Sequence, residues 1–147
     1  MQEKMSTTFQ EFNRNLIKDL RANAGTATLA PWTGRQLLIL STTGARSGEP
    51  RETPLVFTRS GADYVVIASK GGAPSHPAWF HNLVAHPEVQ VEVGGERFRA
   101  RARVAEGEER DRLYEAQSRL LPNFAEYQRK TSRQIPVVVL ERIDKPA

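Results

Sequence analysis

Between residues 88 and 104 the side chains change character at every position. Val89, Val91 and Val93 alternate with polar residues, Gly94-Gly95 turns the chain, and Phe98, Ala100, Ala102 and Val104 then alternate with Arg97, Arg99, Arg101 and Arg103. A period of two on both sides of a glycine turn predicts an antiparallel hairpin with one apolar face and one charged face. The four arginines read as a solvent-facing strand face. No aromatic residues interleave with them to stack bases, so nucleic acid is not an expected partner.

The rest of the chain supplies matching elements. Ser6 to Thr8 can cap a helix in which Phe9, Phe12, Leu16, Ile17 and Leu20 recur at helical spacing, ending near Gly25. Gln36 to Thr42 reads as a buried strand, and Arg51 to Arg59 with Asp63 to Ser69 as a hairpin around Ser60-Gly61. Ala78 to Ala85 forms a short helix that stops at His86-Pro87. Glu108 to Leu121 and Phe124 to Thr131 are helical and split at Pro122, and Pro136 to Glu141 is a last strand. About six mainly antiparallel strands with peripheral helices make an α+β protein built on a small barrel. No repeat or long linker divides the 147 residues, which read as one domain, with 1–25 an amphipathic N-terminal helix.

A chain of this length buries roughly 70% of the surface its unfolded form exposes and needs no covalent staples. It contains no cysteine, which removes disulfides, thiolate metal sites and a thiol nucleophile. There is no run of about 18 apolar residues to span a bilayer and no signal-peptide pattern at the N-terminus, so a cytoplasmic location is expected. The N-terminal helix packs on its own barrel, on a second copy in a homodimer, or as a peripheral contact at the inner face of the cell membrane. The net charge of +4 points to an anionic partner without choosing one.

Familiar catalytic patterns are missing. His76 and His81 are five apart, about 140° round a helix, where a shared metal wants a spacing of three or four, so no metal is expected. There is no GxSxG elbow. Glu106, Glu108, Glu109 and Asp111 stand at a helix start, where acidic residues complement the dipole. Two segments carry more chemistry. In Gly44 to Arg51 the glycines, the hydroxyls of Thr42, Thr43 and Ser47 and the guanidiniums of Arg46 and Arg51 converge on one tight loop, which is anion-binding equipment though not a Walker loop. In Ala68-Ser69-Lys70-Gly71-Gly72 followed by Pro77-Ala78-Trp79-Phe80-His81-Asn82, a strand ends on a hydroxyl and an ammonium, and a helix opens with free N–H groups and a large aromatic. That layout suits a flat ring with a phosphate-bearing tail.

Together with Leu40 to Thr43, Pro54-Leu55 and Ile135 to Val139, these segments stand in an order that resembles the deazaflavin-dependent nitroreductase family over about residues 32 to 141. The resemblance implies a split β-barrel of the FMN- and F420-binding type, coenzyme F420 as cofactor, and a chiefly actinobacterial source. It implies an oxidoreductase that moves a hydride from reduced F420 to a conjugated acceptor such as a quinone, nitroaromatic or enone. Position by position it assigns Ala45, Arg46 and Ser47 to the cofactor's tail and phosphate, with Lys70 adding positive charge. Arg51, Glu52, Thr53, Pro54, Leu55 and Val56 would line the cofactor site. Ile67, Ala68, Ser69 and Lys70, with Ala78, Trp79, Phe80, His81 and Asn82, would continue it, and Phe124 would touch the ring. Ser69 and Tyr127 would contact the acceptor's oxygen atoms as the catalytic pair.

Val56, Leu121 and Phe124 stand where a nitroreductase of this kind carries tyrosines, so fewer hydroxyls reach the substrate side. With neither thiol nor metal expected, the reactive hydride would be the cofactor's, and the protein would contribute placement, water exclusion and oxyanion stabilisation. Two other readings stay open: an FMN-dependent split-barrel oxidoreductase, and a non-catalytic deazaflavin carrier.

Overall fold

The computed structural model describes residues 2–143, with side chains from residue 10 onward. Its elements, in order, are α1 (Gln2–Ala22), β1 (Leu38–Thr43), β2 (Pro50–Leu55), β3 (Thr58–Ser60), β4 (Asp63–Ile67), α2 (Ala78–Ala85), β5 (Glu88–Val93), β6 (Glu96–Val104), α3 (Gly107–Leu120), α4 (Asn123–Lys130) and β7 (Val137–Arg142), with a short 3₁₀ turn at Lys70–Gly72. The strands form one antiparallel sheet in the order β2-β1-β5-β6-β7-β4-β3.

That order dictates the shape. β2 and β3 are opposite edges of a seven-stranded sheet, which laid flat would be about 29 Å apart. Only Val56 and Phe57 join them, and three residue steps reach at most about 11 Å. The sheet must therefore curl until its edges nearly meet, which makes a split barrel. Here the expected single strand from Arg51 to Arg59 is corrected. Its first part pairs with β1, Thr42 opposite Arg51, and only its end pairs with β4, Thr58 opposite Val65. Val56 and Phe57 are good strand formers, so the break is imposed by closure of the sheet and not by local preference.

Alternating residues feed different cores. Leu38, Leu40, Val66, Val91, Phe98, Ala100, Val138 and Leu140 form one cluster, covered by Trp79 and Leu83 of α2. On the opposite face Leu16, Ile17 and Leu20 of α1 pack on Leu37 and Ile39, while α3 and α4 bring Leu113, Tyr114 and Phe124 onto Val65, Ile67, Val137 and Val139. Strands buried on both faces explain the continuous apolar runs at 37–40, 65–68 and 137–140. The hairpin β5–β6 keeps its expected alternation, except that Val104, at the strand end, is 38% exposed.

Three of the four arginines on this face are ion-paired. Arg97 meets Glu92 at 3.2 Å, Arg99 meets Glu88 at 3.5 Å, and Arg103 meets Glu109 at 2.7 Å and Glu141 at 3.2 Å. Such exposed pairs add little stability each. The helix α1 starts before the Ser6 to Thr8 cap expected for it, because Gln2 to Met5 contain no helix breaker; the side chains of Ser6 to Phe9 lie outside the described residues. Leu16 and Ile17 are buried against the sheet, and Arg21 ties the helix end to Glu52 and to Glu92. No helix among the described residues is long and apolar enough to cross a membrane.

Candidate functional site

The loop between β1 and β2 is held in one shape by its own backbone. The Gly44 N–H donates to the Glu49 carbonyl at 2.8 Å, the Gly48 N–H to the Gly44 carbonyl at 2.9 Å, and the Glu49 N–H to Ser47 Oγ at 3.1 Å. A Cβ on Gly44 would lie 2.6 Å from Ser47 Oγ, so glycine is what lets the loop close this tightly. Asn82 of α2, only 8% exposed, pins the loop to the barrel. Its Oδ1 accepts from the Ala45 N–H at 3.0 Å and its Nδ2 donates to Thr42 Oγ1 at 3.2 Å.

The N–H groups of Arg46 and Ser47 are left without an intramolecular partner among the described residues, and the Arg46 guanidinium has no ion pair there. Arg51 is joined to Glu49 at 3.2 Å. Loop residues Gly44 to Ser47, Arg51 to Thr53 of β2, and Ala78, Trp79, His81 and Asn82 of α2 line an open cleft of about 760 Å³. Trp79 contributes an edge only, since it is 7% exposed and packs mainly into the core. A second groove of about 840 Å³ lies between α1 and the β1–β5–β6 side of the sheet and shares Arg51 and Glu52 with the cleft. It has neither the glycine loop nor an aromatic wall, so the smaller cleft is the better candidate.

The remaining expected site residues fall outside this cleft. Pro54 and Leu55 continue β2, with Leu55 and Phe80 half-buried against the cluster that holds Leu38, Ala68 and Trp79. Val56 sits at the crossing between the other two clusters. Ile67, Ala68 and Phe124 are buried core residues, and the Phe124 carbonyl accepts from the Tyr114 hydroxyl. Ser69 is 8% exposed and begins the 3₁₀ turn. Lys70 follows at φ +48°, its ammonium donating to Ser75 Oγ at 3.4 Å. The turn packs on α4: a Cβ on Gly72 would lie 2.8 Å from the Tyr127 carbonyl oxygen. Tyr127 is half-buried, its ring 5.1 Å from that of Phe124. Ser69 and Tyr127 thus sit on two elements that touch.

Sequence reasoning missed Arg133. Its guanidinium donates to the carbonyls of Ala73 at 2.8 Å, Ala68 at 3.3 Å and Ser69 at 2.7 Å, and to His76 Nδ1 at 3.0 Å. Nothing in its local stretch, Thr131-Ser132-Arg133-Gln134, marks it, because every partner is about sixty residues away in sequence. His76 precedes α2, which runs from Ala78 as expected, so a helical angle does not relate it to His81; the two rings lie 5.7 Å apart.

Because a guanidinium only donates, His76 Nδ1 accepts and its proton belongs on Nε2. Burial, then the charge of Arg133 and then His81, hold the imidazole below its ordinary pKa of 6.5. The unfolded chain therefore takes up this proton first as pH falls. Stability owed to neutral His76 is complete above about pH 6.5 and declines below it, until the folded imidazole also protonates. His76→Asn, which keeps an acceptor for Arg133, should flatten the decline between about pH 6.5 and 5. Urea unfolding across that range tests this, and identical slopes in both proteins would refute it.

An antiparallel sheet curled on itself, with a basic glycine loop at one edge strand, places the molecule among the split-barrel proteins. The family model for F420H(2)-dependent quinone reductase matches residues 12–142. An F420H(2)-dependent quinone reductase of Mycobacterium tuberculosis (strain ATCC 25618 / H37Rv) is 44% identical over 108 residues, covering 71% of this chain and 72% of the relative. A solved F420-H2 dependent reductase, FDR-A, superposes with a TM-score of 0.67 at 42% identity over 71% of this chain and 93% of that one. Another solved structure, described as a domain-swapped dimer, gives a TM-score of 0.70 at 36% identity over 87% of this chain and 96% of that one. The chain belongs to the F420H(2)-dependent quinone reductase family, and is an enzyme whose cofactor is coenzyme F420.

Proposed function

We propose that the chain reduces a quinone with F420H2, holding the cofactor's anionic tail at the Gly44–Ser47 loop and the acceptor at the Ser69–Tyr127 end. When bound, the reduced cofactor supplies the hydride. The observation that carries the reading is the loop itself. Two N–H groups and the Arg46 guanidinium, without partners among the described residues, belong to residues lining a cleft that runs along β2 to Trp79, a donor set that fits a phosphate. A side chain at Gly44 would meet Ser47, so the pocket's shape depends on that glycine.

The protein's residues bind and orient. Arg46 and Arg51 fix the tail, and the edge of Trp79 supplies the apolar part of the cleft wall. At the far end the hydroxyls of Ser69 and Tyr127 are donors for an acceptor oxygen that gains negative charge as hydride arrives. A quinone gains one hydride and one proton to become a hydroquinone, and Tyr127 Oη–H is a source for the proton. Nitroaromatics and enones develop the same kind of charged oxygen and fall within this reading. Phe124, Leu121 and Val56 make that end apolar, which favours acceptors with few polar groups.

Arg46→Ala should weaken F420 binding by about ten- to a hundredfold, the loss of one charge-assisted hydrogen bond. Titration followed by quenching of Trp79 fluorescence checks this. Unchanged affinity would remove the phosphate assignment.

A further inference from the structure

Both peptide groups that flank Ser69 are gripped by one side chain. Arg133 Nη1 donates to the Ala68 carbonyl at 3.3 Å and Nη2 to the Ser69 carbonyl at 2.7 Å, while Nε reaches Ala73 O at 2.8 Å. The carbonyl orientations on either side of a Cα define its φ and ψ, so this fork fixes the Ser69 backbone and limits where its Oγ can point. The restraint is needed. After Ala68 the chain leaves the sheet ladder, and Lys70, Gly71 and Gly72 take φ of +48°, +63° and +82°, a run whose own backbone supplies only the turn bonds from Gly72 N–H to Ser69 O and from Ala73 N–H to Lys70 O.

Arg133 is itself well anchored. Gln128 Nε2 donates to the Arg133 carbonyl at 2.8 Å, and Gln128 Oε1 accepts from Arg110 Nη2 at 2.7 Å and from the Ile135 N–H at 3.0 Å. Arg110 also donates to the Ile135 carbonyl at 2.7 Å. The chain of bonds runs from α3 through α4 to the segment before β7 and ends on the Ser69 turn. The Gly44–Ser47 loop has a separate anchor, Asn82.

We propose that Arg133 is a positioning residue for the reaction: it sets the direction of the Ser69 hydroxyl toward the acceptor and takes no part in anchoring the cofactor's tail. This rests on the reading that Ser69 faces the acceptor. It predicts that turnover and cofactor affinity separate on mutation.

The test uses the full chain, with F420H2 as donor and menadione as acceptor, and follows reoxidation anaerobically. Arg133→Gln is expected to lower kcat by about tenfold or more while the F420 dissociation constant stays within about threefold. Ser69→Ala should lower kcat similarly, and adding Arg133→Gln to it should cost less than about twofold more, because both changes remove one arrangement. Arg133→Lys keeps the charge but cannot fork across both carbonyls; it should also be slow, and it carries the test if the glutamine variant fails to fold. The His76 titration midpoint, followed by NMR, should move up toward its ordinary value in Arg133→Gln, a local readout that general loss of stability would not give. A normal kcat in Ser69→Ala would overturn the Ser69 reading, and this inference with it. A slow Ser69→Ala beside a normal kcat in the Arg133 variants, or losses that multiply in the double variant, would overturn the role of Arg133 alone.

Discussion

Asn82→Ala is expected to weaken F420 binding by about tenfold or more and to lower stability by about 1–3 kcal/mol. The amide is buried and serves two partners on two different segments, the Ala45 N–H in the loop and Thr42 Oγ1 in β1. Alanine removes both bonds, and the Ala45 N–H must then find water at the cleft edge. The stability loss corresponds to a melting temperature lower by roughly 3–10 °C for a domain of this size. The affinity loss has a different origin: a loop no longer pinned to α2 must be ordered by the ligand itself, which subtracts from binding. Asn82→Asp separates the two effects. A carboxylate still accepts from the Ala45 N–H, and the Thr42 hydroxyl can rotate to donate, so the hydrogen-bond pattern survives. The added negative charge faces the anion site, so affinity should fall with a smaller change in melting. Calorimetry on the cofactor-free protein and cofactor titration measure the two quantities separately. Full affinity in the alanine variant would show that the loop holds its shape without α2.

Chemistry that is local in the chain is legible in the sequence. The loop from Gly44 to Arg51 puts its glycines, hydroxyls and guanidiniums within eight consecutive residues, and the fold keeps them together as one wall of a cleft. Hairpin β5–β6 follows from alternation around Gly94-Gly95, and α2 from its Pro77 start and His86-Pro87 stop. What stays hidden depends on distant parts of the chain. The break at Val56-Phe57 comes from closing the sheet, and two apolar strand formers give no sign of it. Arg133 looks like any polar linker residue until β4 and β7 pair, Ile67 opposite Val137, and bring residues 68–73 beside residues 131–136. The Ala68 N–H then donates to the Pro136 carbonyl at 2.9 Å, extending that ladder by one bond. The same pairing decides the histidines: His76 is placed by the turn it ends and by Arg133, so helical spacing is the wrong ruler for it.

Charge is the other partly legible property. A net excess of four positive charges marks an anionic partner without locating it. The structure sorts the arginines by what they touch. Arg97, Arg99 and Arg103 of β6 face carboxylates on β5, α3 and β7, and Arg21 sits between Glu52 and Glu92, holding the Glu92 carboxyl below the ordinary carboxylate range by its hydrogen bond. Arg110 and Arg133 are spent on backbone carbonyls. Arg46 has no such partner among the described residues and faces a cleft. Arg46 is thus distinguished by its place in the cleft wall beside the open loop N–H groups, a placement that sequence cannot supply.

Gly72→Ala should destabilise the protein by about 2–5 kcal/mol and slow turnover by tenfold or more. Two costs add. At φ +82° an L side chain is strained by roughly 1–2 kcal/mol. The new Cβ would also lie 2.8 Å from the Tyr127 carbonyl oxygen and 3.1 Å from Tyr127 Cα, and both atoms belong to a helix backbone that cannot rotate aside, an overpacking cost of about 1–3 kcal/mol. The turn or α4 must shift by several tenths of an ångström. Ser69 and Lys70 ride on that turn and Tyr127 on that helix, so relief of the clash moves the proposed acceptor contacts apart while the Gly44–Ser47 loop, held by Asn82, stays in place. Gly71→Ala is the control: it has a similar φ of +63° but open space around its Cβ, so it should show the strain alone. If the two variants melt together and turn over alike, close approach of the turn to α4 is not what Gly72 supplies. A larger stability loss in Gly72→Ala, with slow turnover and near-normal cofactor affinity, is the result expected if hydride acceptance depends on how tightly this turn seats against the helix.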